Sequence, residues 1–204
     1  MSGLLRIVLI MFVLSLSAAA LGGDLAKGRA ALNNGDYDTA LSEWQPLAEA
    51  GDSEAQFCMG YLYANGFGVP MDDAEALKWY GLAAAGGYAE AQYNLGVMHA
   101  NGWGVPMDEG EAINWYQLAA DQGFVAAQLS LASIYSSAWG ERQSPVDAYM
   151  WYEIAAQLGD TDAQLRRKEV AEKLSEDELL QAQQQALHWL DSFQGETINA
   201  NRID

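Results

Sequence analysis

Disulfide chemistry is the first thing this chain of 204 residues does without: it has one cysteine, Cys58, so no intrachain bridge can form. Stability must come from packing instead. Proline is scarce, with four in the chain, and bases are few, 10 against 28 acids, for a formal net charge of −18. Between Ala30 and Gly140 there are 14 acids and one base, Lys78. Such a stretch repels phosphate backbones and anionic headgroups, so nucleic acid is excluded as a partner and membrane-surface binding is disfavoured. A small basic cluster, Arg166, Arg167, Lys168 and Lys173, is diluted by Glu169 and Glu172 and reads as a solvated face. The two histidines, His99 and His188, stand far apart and, with a single thiol, make neither a zinc site nor a Cys–His nucleophile. The expectation is no catalytic residue, no cofactor and no metal.

Long apolar runs are missing except at the start. Arg6 precedes "IVLIMFVLSL", ten residues, and "SAAALGG" follows with Ala18 and Ala20 spaced as in an A-x-A cleavage site. The run is shorter than the roughly 20 residues a spanning helix needs, so 1–20 reads as a secretory signal peptide cut near Ala20. No cysteine lies there to carry a lipid. The expected product is soluble, periplasmic or secreted, not stably inserted in a membrane, and monomeric. About 180 residues remain for one core or one continuous stack.

What the chain does have is a period. Ala-Gln recurs at Ala55, Ala91, Ala127 and Ala163, and Trp-Tyr at Trp79–Tyr80, Trp115–Tyr116 and Trp151–Tyr152, every step being 36 residues. A fixed period of this size marks a stack of helical repeats. In the first unit Ser53 to Ala64 reads as helix A, Asn65 to Met71 as the connection and Asp73 to Ala85 as helix B. On helix B, Ala76, Trp79, Tyr80, Ala83 and Ala84 follow the spacing of one helical face. On helix A, Ala55, Met59, Leu62 and Tyr63 share an arc, with Gly60 at its edge. The tryptophan-bearing faces are expected to exclude water.

The phrase "NGFGVPMDDAEALKWY" returns as "NGWGVPMDEGEAINWY". Its glycines could cradle a phosphate or bend a metal loop, but a dinucleotide fingerprint needs a third glycine where Met71 stands and a strand before it. A Walker loop needs Gly-Lys-Ser/Thr, and a calcium loop needs spaced oxygen ligands that Asp72-Asp73 does not begin. As a hinge the phrase makes sense: Gly66 and Gly102 end helix A, and Asp72 and Asp108 stand as N-caps of helix B. The third unit loses the glycines yet puts Ser144 in the cap slot, with Pro145 after it.

The pattern "AQFCMGYLYANGFGVPMDDAEALKWYGLAAAGG" resembles the Sel-one-like repeat, an α/α relative of the tetratricopeptide repeat with a longer inter-helix loop. The resemblance is close from Ser53 to about Asp160, and "ALNNGDYDTALSEWQPLAEAGD" resembles a tetratricopeptide-like first pair, with Ala40 and Trp44 at the Ala76 and Tyr80 positions. It implies an all-α, right-handed α/α superhelical solenoid of 36-residue helix-turn-helix repeats, and an adaptor that binds other proteins. The expected order is the signal peptide 1–20, an N-terminal pair 21–50, repeats 51–86, 87–122 and 123–158, a capping pair 159–194 and a mobile tail 195–204. A cysteine-rich branch of the family is linked to penicillin and peptidoglycan binding; this chain lacks those cysteines.

The row of helix A opposite its core arc holds Glu54, Phe57 and Tyr61, then Glu90, Tyr93 and Val97, then Leu129. It is aromatic and acidic where an idle face would be plainly polar. Two readings stay open: a groove for a peptide or protein partner carrying positive charge, or packing against the neighbouring helix. Functions from other classes are a peptidoglycan or β-lactam-binding enzyme or accessory, and a periplasmic regulator of a membrane sensor protein. His99 aligns with Tyr63 on the core arc and reads as packed; Cys58 aligns with Asn94 and Ser130 in a half-exposed slot.

Overall fold

Ten α-helices and no strand occur in the described residues, 22–137 and 143–200, of the computed structural model. The expected signal peptide and its cleavage site, the middle of the third connection and residues 201–204 lie outside them. The helices are α1 Leu25–Asn33, α2 Tyr37–Glu49, α3 Ser53–Asn65, α4 Asp73–Ala85, α5 Ala89–Asn101, α6 Glu109–Asp121, α7 Val125–Ser136, α8 Pro145–Gln157, α9 Thr161–Ala171 and α10 Glu176–Ala200. Helices A and B of each repeat are therefore α3/α4, α5/α6 and α7/α8. The fold class is the all-α, α/α solenoid class.

The helices start where an oxygen is available to cap them. Asp72 accepts from the backbone N–H groups of Ala74 and Glu75 at 2.9 and 3.1 Å, and Asp108 from Glu111 at 3.0 Å. Ser144 accepts from Asp147 at 3.3 Å, so the hydroxyl performs the carboxylate's task. Each cap residue is also tied to the helix before it. The N–H of Asp72 donates to the Tyr63 carbonyl at 3.0 Å, that of Asp108 to His99 at 2.9 Å and that of Ser144 to Tyr135 at 3.0 Å. Gly66 caps α3 with φ 68° and ψ 33°, the left-handed conformation that lets the chain reverse without a Cβ clash. The glycine phrase is a hinge.

Contacts divide the chain into two compact units, one holding the described residues up to Ala91 with Gly102–Pro106, the other Gln92–Asn101 and Met107 onward. The first unit is cored by Ala31, Ala40, Trp44, Leu47, Ala48, Ala55, Met59 and Leu62. The second is cored by α6, α7 and α8, from Ala112 and Ile113 through Leu131 and Ile154, and closed by Ala182 and Ala186 of α10. Small residues let helices approach. A Cβ on Gly60 would lie 2.6 Å from the Tyr80 ring, one on Gly96 2.5 Å from Tyr116, and one on Gly28 2.3 Å from the Trp44 indole. Gly60 is thus the seat of Tyr80, more than an edge position.

Two expectations are corrected. Trp151 is buried, but Trp79 and Trp115 are half-buried, although all three occupy one register. The cause is cover: Trp151 has Trp189 of α10 edge-on at 6.1 Å, whereas Trp79 packs along the first core with the Lys78 ammonium 5.4 Å from its ring centroid. Also, α10 continues to Ala200, into the stretch expected as a tail. A single glycine, Gly195, lowers helix propensity without ending a helix that has no proline behind it.

Candidate functional site

The row on α3 keeps the places its spacing implies. Glu54, Phe57 and Tyr61 follow one another along the helix, each half-buried, because the buried arc of α3 is taken by Ala55, Gln56, Met59, Gly60 and Leu62. Together with Arg29, Leu32, Trp44, Cys58 and Tyr88 they line a cavity of about 310 Å³ within the first unit. Phe57 touches Tyr80 and Tyr88 with ring centroids at 5.7 and 5.1 Å, and Tyr61 meets Phe67 edge-on at 5.8 Å. The Arg29 guanidinium donates to Glu54. Burial pushes the Cys58 thiol up to about 12, helped by the Glu54 carboxylate and opposed by Arg29. A thiol held neutral is a poor nucleophile and a poor partner for intermolecular pairing.

The second unit has a cavity of its own, about 320 Å³, lined by Tyr93, Ala126, Leu129, Ser130, Ser133, Tyr152, Asp162 and Arg166. Arg166 Nε donates to Asp162 at 2.7 Å, and this bond raises the arginine further. Tyr93 packs on Tyr116 and Phe124 at 5.6 and 5.3 Å while still facing the cavity. Leu129 likewise packs against the core and lines the cavity, and Val97 packs against the core. Glu90 sits half-buried in the first turn of α5. The helix-A row therefore divides: Glu54, Phe57, Tyr61, Tyr93 and Leu129 border these two cavities, and Glu90 and Val97 are not among their lining residues.

Arg29, Leu32 and Tyr88 of the first cavity lie outside the sequence reading, and Arg166 of the second reads there only as part of a solvated basic cluster. They come from helices or turns flanking the row, and no periodic signal in a single chain ties them to it. Among the described residues no group of histidine, cysteine, aspartate or glutamate is arranged to hold a metal. His99 is half-buried, with Nδ1 enclosed. No helix among the described residues is long and apolar enough to cross a membrane.

Paired short helices with a capped hinge and a fixed register define an α/α repeat protein. The Sel1 repeat matches the chain at residues 53–88, 89–124 and 125–160, more than half of its length, and the chain belongs to the Sel1 repeat family. Its structure is similar to that of a Sel1 repeat protein from Oxalobacter formigenes, with 30% identity and a TM-score of 0.66 over 71% of this chain and 59% of that one. It is also similar to a protective antigen present in uropathogenic Escherichia coli strains that displays an SLR fold, with 26% identity and a TM-score of 0.58 over 90% of this chain and 49% of that one. The chain spans 49–59% of the length of these structures. No curated protein sequence matches it significantly. Sel1 repeats generally mediate protein–protein interaction, and proteins that carry them are typically non-catalytic scaffolds.

Proposed function

We propose that this protein is an exported adaptor that holds an extended peptide or protein segment along the α3 part of its helix-A row, with a preference for positive charge. The observation that carries the reading is the cavity bordered by Glu54, Phe57 and Tyr61: a concave aromatic surface, partly open, next to a carboxylate and set in a strongly acidic chain. Aromatic side chains in such a recess supply contact area at low entropic cost, and the surrounding acids favour a basic segment and repel an acidic one. The work is done by a rigid surface, without covalent chemistry. Export rests on the short apolar run and the Ala18–Ala20 spacing of the leader.

Selection of a random peptide library on the protein, followed by titration of the enriched peptides, tests this. Peptides combining apolar and basic residues should be enriched, and Tyr61→Ser should weaken them by about tenfold with helicity intact. Selection without a consensus, or binding indifferent to Tyr61→Ser, would overturn the groove; lost helicity would make Tyr61 a core residue. The mass of the protein recovered from producing cells should correspond to a start near Leu21.

A further inference from the structure

Three asparagines of the chain stand directly before glycine: Asn34, Asn65 and Asn101. Glycine has no side chain to shield its backbone nitrogen, so that nitrogen can attack the carboxamide carbon of the asparagine before it. The new C–N bond closes a succinimide ring, and the side-chain nitrogen leaves as ammonia. Water then opens the ring at either carbonyl. One opening gives aspartate; the other reroutes the main chain through the side chain and gives isoaspartate. In a folded protein the rate depends on how freely the carboxamide swings onto the next nitrogen and how readily the turn opens.

The three pairs differ on both counts. The carboxamide of Asn65 donates to the Tyr61 carbonyl at 2.8 Å and that of Asn101 to Val97 at 2.7 Å, each back along its own helix. Both pairs also lie inside a closed hinge, bracketed by the backbone bonds from Asp72 to Tyr63 and from Asp108 to His99. The first hinge is crowded as well, since a Cβ on Gly66 would stand 3.3 Å from Met71. Asn34 has none of these restraints. Its carboxamide makes no hydrogen bond among the described residues, it is exposed together with Gly35, and a Cβ on Gly35 would meet nothing within 4 Å. The Gly35 N–H donates to the Leu32 carbonyl at 3.0 Å, as that of Gly66 does to Leu62, so this bond does not distinguish the sites.

We propose that Asn34 is a site of spontaneous deamidation in the folded protein, while the hinges of the repeats hold Asn65 and Asn101 out of the same reaction. The product is a carboxylate at the C-cap of α1, where the helix dipole presents its negative end. The isoaspartyl form also adds a carbon to the main chain inside the turn that the bond from Asp36 to the Ala31 carbonyl closes at 2.9 Å. Because α1 has only nine residues and carries Arg29 and Leu32, conversion loosens one wall of the first unit's cavity, whatever that cavity binds.

Ageing the purified protein in mildly alkaline buffer, followed by peptide mapping with mass spectrometry and an isoaspartyl assay, reads the three sites side by side. Conversion at Asn34 should run about tenfold faster than at Asn65 or Asn101. In concentrated urea the three rates should converge, because the sequence offers each asparagine the same glycine. Backbone amides of Leu25–Asn33 should exchange faster in the aged protein, and Asn34→Gln, whose longer side chain closes its ring slowly, should abolish that change. Equal rates in the folded protein, or a lead by Asn65 or Asn101, would overturn the assignment. So would a lead by Asn34 that persists undiminished in urea, since the flanking residues and not the fold would then be its cause. Unchanged exchange in α1 after conversion would overturn the consequence drawn for the cavity wall.

Discussion

Gly96 and Gly81 are both helix-interior glycines, and they should respond to alanine with opposite signs. A Cβ at Gly96 meets the Tyr116 ring at 2.5 Å, while one at Gly81 meets nothing within 4 Å. Gly81→Ala should gain about 0.5–1 kcal/mol in urea unfolding through helix propensity alone. Gly96→Ala gains the same propensity but has to displace a buried ring, and should lose about 1–3 kcal/mol net. In a Tyr116→Leu background that loss should disappear; a persisting penalty would place the constraint in the backbone instead. The glycine is written in the sequence, but its seat is not, because the partner ring lies twenty residues on in another helix. The Ala-Gln pair shows the same limit. Its period is plain, but the glutamine's task is not: Gln56 donates to the Ala48 carbonyl at 3.1 Å and Gln128 to Ala120 at 3.2 Å, stapling α3 to the end of α2 and α7 to the end of α6. A buried polar side chain of this kind completes a carbonyl that would otherwise be short of a donor.

At the scale of the element, the caps account for part of the acidity. Asp24, Asp36, Asp52, Asp72, Asp108 and Asp160 each accept a backbone N–H at the start of a helix. These carboxylates also meet the positive end of the helix dipole, so six of the acids are structural before any partner is considered. The Ser144 cap indicates which part of that interaction matters. Asp72→Ala should cost about 1 kcal/mol in thermal or urea unfolding, and Asp72→Ser only a few tenths, since a hydroxyl oxygen can accept the same bonds. Equal losses for serine and alanine would mean that the charge, not the acceptor, holds the start of α4. Helix bounds and caps were legible because they depend on residues within one turn of each other; the predicted start and end of α4 are those observed. The closing helix buries a stripe that includes Ala182 and Ala186, and it opens on a capping box in which Glu178 accepts from the Ser175 N–H at 2.9 Å. Its length is not legible in the sequence, since nothing within a turn of Gly195 marks a stop.

Across the whole molecule the register repeats the residue but not its surroundings, and this decides what each tryptophan contributes. The sequence places Trp115 and Trp151 in one role; in the second unit they differ by cover, because α10 brings Trp189 onto Trp151, and stacks Phe193 on Trp189 at 4.8 Å. Trp115 has no ring stacked on it among the described residues and stays half-buried. Trp151→Ala should therefore cost about 3–5 kcal/mol, the usual loss for a buried tryptophan, and Trp115→Ala no more than about 1–2 kcal/mol. Trp189→Ala should fall between them, since it uncovers Trp151 without creating a hole beneath it. Matched urea titrations of the three variants with the wild type measure this order. Equal losses at Trp115 and Trp151 would require that Trp115 be covered in solution by something outside the described residues, because an indole left in water contributes too little for its removal to cost as much as a buried one.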